Sequence, residues 1–306
     1  RIVQPSPLSI GLEIYAGRRY PLLLNAEASS AGFLLTEAKL RRGVEAPSPL
    51  GLLLIKYLVG ARLTEIVQPP LERVLRLTFE GQYGLVHLVC EIMGRYSNII
   101  LLDSADTIMD AVKRIPASLN RYRVTLPKHP YVPPPAQNKL DPRLLTVADL
   151  RQALKEGADA PLWQQLVNAV SAISPLLARE IVYRAFGVAP PAGLSSPEDM
   201  ATLLRALEQL LALPRTRAWM PCLAYAGEGE ERQPIAYAPY ELTHLPDREP
   251  ASGINEAILR YLEGRQNLDP YRSVRARLRG LVEQQKERQR ARLASLQRSL
   301  APEAEI

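Results

Sequence analysis

A short polar segment between two apolar runs carries residue types that contact nucleic acids. It contains Arg95, Tyr96, Ser97 and Asn98. Arginine can pair with a phosphate, tyrosine can stack on a base, and serine and asparagine offer short hydrogen bonds. A tight turn in which Ser97 and Asn98 bond the backbone would use the same residues. The pattern alone therefore leaves both an RNA contact and a purely structural turn open.

A basic stretch at 271–300 is the second feature that points to a polyanion. It holds nine basic and two acidic residues, a net charge of +7, whereas the whole chain carries +6. It has no proline, and its leucines come at coiled-coil spacing, which predicts one long helical arm that needs a partner helix. We expect this arm to contact RNA phosphates with salt-dependent affinity; a merely solvated helix is the alternative. The residues assigned to this contact are Arg272, Arg275, Arg279, Lys286 and Arg290.

The cysteines and histidines argue against metal and nucleophile chemistry. Cys90 and Cys222 are far apart, and His87, His129 and His244 share no metal-ligand spacing. A disulfide scaffold, a four-cysteine zinc site and a histidine-based triad are therefore not expected. No apolar run reaches the roughly 18–20 residues of a membrane helix. We expect no metal, no cofactor, no small-molecule substrate and no membrane contact.

Short strands dominate residues 1–126, and their spacing predicts a mostly antiparallel sandwich or barrel. A helix is expected at 48–59, with Ser48 as its N-cap and Pro49 as its first residue. The predicted strands are 8–15, 20–26, 62–67, 73–79, 84–92, 98–102, 108–115 and 121–126.

Beyond a proline-rich connector the hydrophobic period changes from two to 3.6, which predicts helices. The α+β class follows, with a turn near 170–174 whose second helix has Ser174 as N-cap. Such a helical turn can hold a backbone phosphate, although many helix pairs look alike. Helices are predicted at 146–155, 161–172, 175–186, 197–213 and 254–263, and a hairpin at 219–226 and 233–238. The expected units are 1–126 (β-rich), 127–146 (connector), 147–215 (helical), 216–268 (hairpin and helix returning to the β-rich domain) and 269–306 (truncated arm).

Several segments, taken together and in order, resemble the NFACT family. The segment 91–101 is similar to the family's EIMGR-H/Y-SNIIL stretch. The other matching segments are 56–62 (KYLVGAR), 110–115 (DAVKRI), 120–123 (NRYR), 130–135 (PYVPPP) and 173–181 (ISPLLAREI). The resemblance implies a sandwich similar to that of formamidopyrimidine-type DNA glycosylases, a helix-hairpin-helix domain and a long coiled coil.

The resemblance also implies a function. Family members bind large ribosomal subunits that carry a stalled peptidyl-tRNA, and they recruit tRNA, in bacteria chiefly alanyl-tRNA, to extend the peptide without mRNA. The ribosome performs the bond chemistry, so we expect a cytoplasmic RNA-binding protein without catalytic residues. An adhesin that binds fibronectin, after an older family label, is the alternative; a DNA glycosylase is a third reading.

The family's tRNA-handling residues map onto this chain only in part. Gly94 stands where many members have Asp, and Gly32 stands where members often have Arg. Glu91 and Asp103 flank the polar turn and could be either acid partners of Arg95 or strand-end surface residues. The residues assigned to tRNA contact are Arg95, Tyr96, Ser97, Asn98, Lys113, Arg114, Asn120 and Arg121.

Overall fold

The computed structural model describes residues 1–37, 39–154, 160–188 and 196–266, together with 278, 282, 285–290 and 292–293. This part of the chain forms a β-rich region with one helix, a helical region, and a small sheet followed by a helix. The strands of all three described sheets pair in antiparallel fashion. The α+β class expected from the sequence is confirmed.

Two sheets form the N-terminal region, and in each sheet every strand pairs with the next one along the chain. The first sheet contains β1 (Ile2–Ser6), β2 (Ser9–Ala16), β3 (Arg18–Asn25) and β4 (Gly32–Leu35). The second contains β5 (Arg62–Val67), β6 (Val74–Gly81), β7 (Gly84–Glu91), β8 (Asn98–Asp103) and β9 (Ile108–Ala111).

One apolar core joins both sheets to helix α1 (Pro49–Leu58). The helix begins where the sequence predicts, because the Ser48 side chain accepts a hydrogen bond from the Gly51 amide at 3.1 Å and Pro49 supplies a helical φ angle. Burial of these side chains is the main stabilising contribution. The core includes Ile10, Leu12, Leu24, Leu50, Leu54, Leu77, Phe79, Leu88 and Leu101.

The second sheet is covered on both faces. A separate apolar cluster lies on its other side and includes Val89, Ile100 and Ile108, with Tyr131 packed against it. Strands β7 and β8 therefore read as nearly continuous apolar runs, and any polar residue inside them must find a partner within the protein.

The structure corrects the predicted strand at 121–126. Only an isolated bridge forms there, in which Ile115 and Thr125 exchange main-chain bonds of 3.0 and 2.8 Å. The alternation of apolar residues in this segment does not mark one buried face, because Tyr122 is exposed while the Arg123 side chain turns inward to an ion pair with Glu91. Strand β9 ends at Ala111, short of the predicted 115. Strands β1 and β4 were not predicted, since one is a proline-containing edge strand and the other has four residues.

The helical region has its own apolar core, which includes Leu150, Leu166, Ile181, Leu203 and Leu207. Three of its helices begin at hydroxyl caps, on Thr146, Ser174 and Ser196, and of these the cap at Ser174 is the predicted one. The helices are α2 (Val147–Ala153), α3 (Leu162–Ala169), α4 (Pro175–Phe186), α5 (Pro197–Leu211) and α6 (Leu213–Thr216).

The helix that follows the third sheet contacts the first sheet. The side-chain amide of Asn255 accepts from the Leu35 amide at 2.8 Å and donates to the Leu35 carbonyl at 2.7 Å. It thereby replaces a neighbouring strand at the edge of β4. The elements are β10 (Cys222–Ala226), β11 (Gln233–Ala238), the unpredicted β12 (Arg248–Pro250) and α7 (Ile254–Gln266).

The basic arm lies mostly outside the described residues, including Arg272, Arg275 and Arg279. Lys286 and Arg290 are described and helical. None of the described helices is long and apolar enough to cross a membrane.

Candidate nucleic-acid interface at the β7–β8 turn

The polar segment of the sequence forms a single turn of 3₁₀ helix at Gly94–Tyr96, between β7 and β8. The Ser97 hydroxyl accepts a hydrogen bond from the Met93 amide at 2.8 Å, and the Ser97 amide donates to the Gly94 carbonyl at 3.0 Å. Ser97 is fully buried. Its side chain therefore shapes the turn, and a direct contact of Ser97 with RNA stays a prediction.

Asn98 has the same kind of role. It is 2% exposed, and its amide donates to the Lys113 carbonyl at 2.9 Å while its oxygen accepts from the amides of Lys113 and Ile99, both at 2.9 Å. These bonds use the polar atoms of the side chain and hold the start of β8 against residue 113. Asn98 therefore positions the turn, and its direct contact with RNA also stays a prediction.

Arg95 and Tyr96 project outward from the turn. The Arg95 guanidinium lies 4.6 Å from the centre of the Tyr96 ring and donates to the Tyr96 hydroxyl. Tyr96 is 60% exposed. Among the described residues no carboxylate pairs with Arg95, so its charge remains available to an anion. This stack offers one cation and one aromatic face at the same place, which suits a phosphate next to an unpaired base.

Lys113 joins the turn to the first sheet. Its ammonium donates to the Ala26 carbonyl at 2.7 Å and to the Arg95 carbonyl at 3.3 Å. Partial burial lowers the pKa of Lys113, and the nearby Glu27 carboxylate opposes this shift. Lys113 therefore fixes the backbone beneath Arg95 and holds the β3–β4 connection against the β7–β8 turn.

Arg114 lies beside Lys113 and is bonded to a buried carboxylate. Its guanidinium donates to Asp110 through two bonds of 2.8 and 3.0 Å, and these bonds raise the pKa of Arg114. Asp110 is 2% exposed, whereas the Arg114 side chain is about half exposed at 49%. Arg114 can therefore face a ligand while it neutralises Asp110.

Glu91 is buried at the end of β7 and is not a partner of Arg95. Its carboxylate accepts from Arg123 at 2.5 Å and from the Tyr131 hydroxyl at 2.8 Å. Burial and the adjacent Glu91 charge raise the pKa of Tyr131. The sequence left the roles of Glu91 and Asp103 open, and the structure shows that Glu91 anchors the 120–132 segment. Asp103 accepts from two amides of its own turn at 2.9 Å.

Asn120 and Arg121 lie just before Arg123, in the segment that Glu91 anchors. The Asn120 side-chain oxygen accepts from the amides of Tyr122 and Arg123, both at 3.0 Å, and so orders the loop that delivers Arg123. Arg121 and Tyr122 are exposed. The sequence did not indicate the roles of Arg123 and Tyr131, although they lie in the NRYR and PYVPPP segments. Their hydrogen bonds to Glu91 join residues 32 and 40 positions apart.

A second turn, at 170–174 between α3 and α4, contains no charged side chain. Ala172 adopts φ +58°, and the Ser174 hydroxyl accepts from the Leu177 amide at 3.2 Å. The Arg179 guanidinium lies 4.3 Å from the Trp163 ring centre.

A fully buried glutamate, Glu180, holds α4 next to this turn. It accepts from Arg184 at 2.6 Å, Thr243 at 2.7 Å and the His244 ring at 2.6 Å. Burial acts to raise the pKa of Glu180, but the hydrogen bonds from His244, Arg184 and Thr243 outweigh it and lower that pKa to about 2. This carboxylate therefore stays ionised and joins the helical region to the segment at 240–245.

The described residues include no group of three His, Cys, Asp or Glu side chains that could hold a metal ion. The buried acids of the surface, Glu91 and Asp110, each pair with an arginine. The exposed groups around them are mainly cations and tyrosines, with the Glu27 carboxylate near Lys113. Such a surface can bind phosphates and stack on bases.

Comparison with known proteins identifies the family. The profile for "NFACT N-terminal and middle domains" matches residues 1–305. The chain belongs to the NFACT family. It is 30% identical over 310 residues to the protein named "Rqc2 homolog RqcH" from Bacillus subtilis (strain 168), with 98% of this chain and 51% of that protein aligned. The chain thus spans about half the length of this relative.

One further relative and two solved structures are also similar to this chain. A match to "Archaeal Rqc2 homolog aRqcH" from Methanocaldococcus jannaschii is 33% identical over 153 residues, 47% of this chain and 21% of that protein. The structure of the fibrinogen binding protein from Staphylococcus aureus has a TM-score of 0.67 at 22% identity, covering 85% of this chain and 90% of that one. The N-terminal part of the fibronectin/fibrinogen-binding protein from Streptococcus suis has a TM-score of 0.63 at 24% identity, covering 86% and 90%. At these identities the two structures show the fold alone.

Proposed function

We propose that this chain is the tRNA-handling part of a ribosome-quality-control factor. It binds large ribosomal subunits that carry a stalled peptidyl-tRNA and recruits tRNA, chiefly alanyl-tRNA, so that the nascent chain is extended without mRNA. The names of the NFACT relatives, "Rqc2 homolog RqcH" and "Archaeal Rqc2 homolog aRqcH", support the ribosome-quality-control role. In this proposal the protein acts in the cytoplasm, needs no cofactor and is not an enzyme, because the ribosome makes the peptide bonds.

The Arg95–Tyr96 stack is the observation that carries the tRNA part of the proposal. Ser97, Asn98 and Lys113 hold the backbone beneath it through bonds of 2.8–3.3 Å, so the cation and the ring are ordered before a ligand arrives. A preorganised surface loses less conformational entropy on binding than a flexible one. Arg114 and Arg121 extend the cationic rim, and Asn120 orders the loop that carries Arg121. The basic arm adds phosphate contacts through residues such as Lys286 and Arg290.

The adhesin alternative finds less support. The two solved structures described as fibrinogen- or fibronectin-binding proteins are similar at 22% and 24% identity, which is evidence about the fold and not about ligands. The arginine-rich composition explains binding to many acidic partners without a dedicated fibronectin site.

Equilibrium binding of labelled tRNA tests the proposal. We expect Arg95→Ala to weaken binding about tenfold and to reduce the slope of log affinity against log salt by about one, because one phosphate contact is lost. Arg205→Ala is the matched control, since Arg205 is an exposed arginine on α5 whose guanidinium bonds to Thr202 at 3.0 Å. Equal affinity and equal slope for wild type and Arg95→Ala would reject the turn as the tRNA site.

A further inference from the structure

Two other turns of the N-terminal region lie at the opposite ends of the sheets from the β7–β8 turn. Because β2 and β3 are antiparallel, the β2–β3 turn at Gly17 lies at the end of the first sheet away from Ala26. For the same reason the β6–β7 turn at 81–84 lies at the end of the second sheet away from Arg95. Lys113 bonds to both Ala26 and Arg95, so those two ends lie together. We call the β2–β3 and β6–β7 turns the far-end turns.

The β2–β3 turn combines arginine with exposed tyrosine. The Arg18 guanidinium lies 4.9 Å from the Tyr20 ring centre. Tyr15, one residue before the turn begins, is 75% exposed. The nearby acid Glu13 is bonded to Arg19 at 3.1 Å. Among the described residues Arg18 has an aromatic partner and no carboxylate partner.

The β6–β7 turn repeats this chemistry with a lysine from α1. The Lys56 ammonium lies 5.0 Å from the Tyr83 ring centre and 5.1 Å from that of Tyr57. The two rings are tilted, with centres 5.6 Å apart, and Tyr83 is 50% exposed. Lys56 belongs to the KYLVGAR segment of the sequence, and no residue of that segment takes part in the proposed tRNA contact.

We propose that the far-end turns form a second RNA surface, which takes unpaired nucleotides of the RNA of the large ribosomal subunit. Bases stack on Tyr15 and Tyr83, and phosphates pair with Arg18 and Lys56. β2 and β7 each contain eight residues, so about 25 Å separate this surface from the β7–β8 turn. The N-terminal region then bridges two RNA elements. This inference rests on the proposed function, because it divides the contacts of the same factor between tRNA and ribosomal RNA.

The strand pairing favours RNA over a peptide at these turns. Peptides commonly bind by adding a strand to a free sheet edge. Each strand that flanks the far-end turns is already paired on both sides, since β2 and β3 lie inside the order β1-β2-β3-β4 and β6 and β7 lie inside β5-β6-β7-β8-β9. The turns present rings and cations, which match single-stranded nucleic acid.

The test compares two ligands, purified large ribosomal subunits and labelled tRNA, with the double variant Tyr15→Ser and Tyr83→Ser. We expect the affinity for subunits to fall about tenfold or more, because two stacking rings are lost. The affinity for tRNA should change less than about twofold, since the altered sites are distant from Arg95. Tyr15→Phe with Tyr83→Phe retains the rings and should retain subunit binding. Leu144→Ser, which removes an exposed apolar side chain (77% exposed), is the matched control.

Two results would overturn the inference. One is unchanged subunit affinity of the serine double variant, provided that its thermal melting matches wild type. The other comes from a photoreactive benzoylphenylalanine at position 15: crosslinks to ribosomal protein alone would identify a protein partner, whereas we expect crosslinks to ribosomal RNA. The proposed tRNA site is tested separately, because Arg95→Ala should lower tRNA binding whatever the tyrosine variants do.

Discussion

The β7–β8 turn and the α3–α4 turn are both held in one conformation by buried ion pairs. Each lies beside a buried glutamate that bonds to an arginine: Glu91 with Arg123 in the first case and Glu180 with Arg184 in the second. The β7–β8 turn exposes a cation and a ring, whereas residues 170–174 of the α3–α4 turn include neither a charged nor an aromatic side chain. A surface of the first kind can pair with a phosphate and stack on a base.

Loss of the Glu91 charge should have the largest effect on stability. Arg123 is 15% exposed, and Glu91→Gln would leave it without a carboxylate partner. We expect the free energy of unfolding to fall by about 3–5 kcal/mol, as for other broken buried ion pairs. Denaturant unfolding measures this. Glu13→Gln, which breaks the exposed pair with Arg19, should cost less than about 1 kcal/mol. Similar losses in both variants would contradict the anchoring role of Glu91.

Acid should weaken the helical anchor through Glu180. Its pKa is about 2 in the folded protein, below the ordinary 4.5. A lowered carboxylate pKa stabilises the fold fully above 4.5, and this contribution is lost as the pH falls toward 2. We expect a loss of about 3 kcal/mol over that range. Unfolding curves between pH 5 and pH 2 provide the measurement. Glu180→Gln should flatten this part of the pH dependence, and an unaltered dependence would disprove the assignment.

An acid introduced at position 94 should weaken the charged turn. Gly94 has φ +57°, and a side chain there would meet no atom within 4 Å. Gly94→Asp places a carboxylate near Arg95, and we expect tRNA affinity to fall about threefold at low salt through competition for that cation. Gly94→Asn is the matched control, because asparagine tolerates the same backbone and adds no charge. Equal effects of Asp and Asn would show that charge at the turn is irrelevant.

The smallest effect is expected at the helical turn. Ala172 is a non-glycine residue at φ +58°. Ala172→Gly should raise the free energy of unfolding by about 0.5 kcal/mol, because relief of backbone strain exceeds the added entropy of the unfolded chain. Thermal unfolding tests this. A destabilised glycine variant would mean that the alanine methyl group contributes packing that the backbone strain does not outweigh.

The sequence predicts local features of the fold well and distant contacts poorly. Ser48 and Ser174 mark helix starts through bonds to amides three residues further on, and Pro49 does so through its fixed φ angle, so their roles can be read from spacing. Strand β5 and helix α4 match their predicted ranges of 62–67 and 175–186. The pairing of Glu91 with Arg123 depends on how the chain folds back, and no local rule specifies it.

The candidate site shows the same division. The sequence marked the β7–β8 turn because four polar residues interrupt an apolar run. It could not tell that Ser97 and Asn98 point inward while Arg95 and Tyr96 point outward, since that depends on the 3₁₀ turn and on the Lys113 backbone. A polar residue beside or inside a strand that is buried on both faces should be interpreted as a group that bonds within the protein. The exposed residues next to it are then the candidates for ligand contact.

Ultraviolet crosslinking of tRNA to the chain, followed by mass-spectrometric mapping, tests the central claim most directly. If the β7–β8 turn holds tRNA, Tyr96 should be a major crosslinked residue, because its exposed ring is stacked with Arg95 and available to a base. The crosslink at Tyr96 should disappear in Arg95→Ala. Crosslinks confined to the α3–α4 turn or to the helical residues 285–290 and 292–293, with none at Tyr96, would contradict the account and assign tRNA binding to those elements.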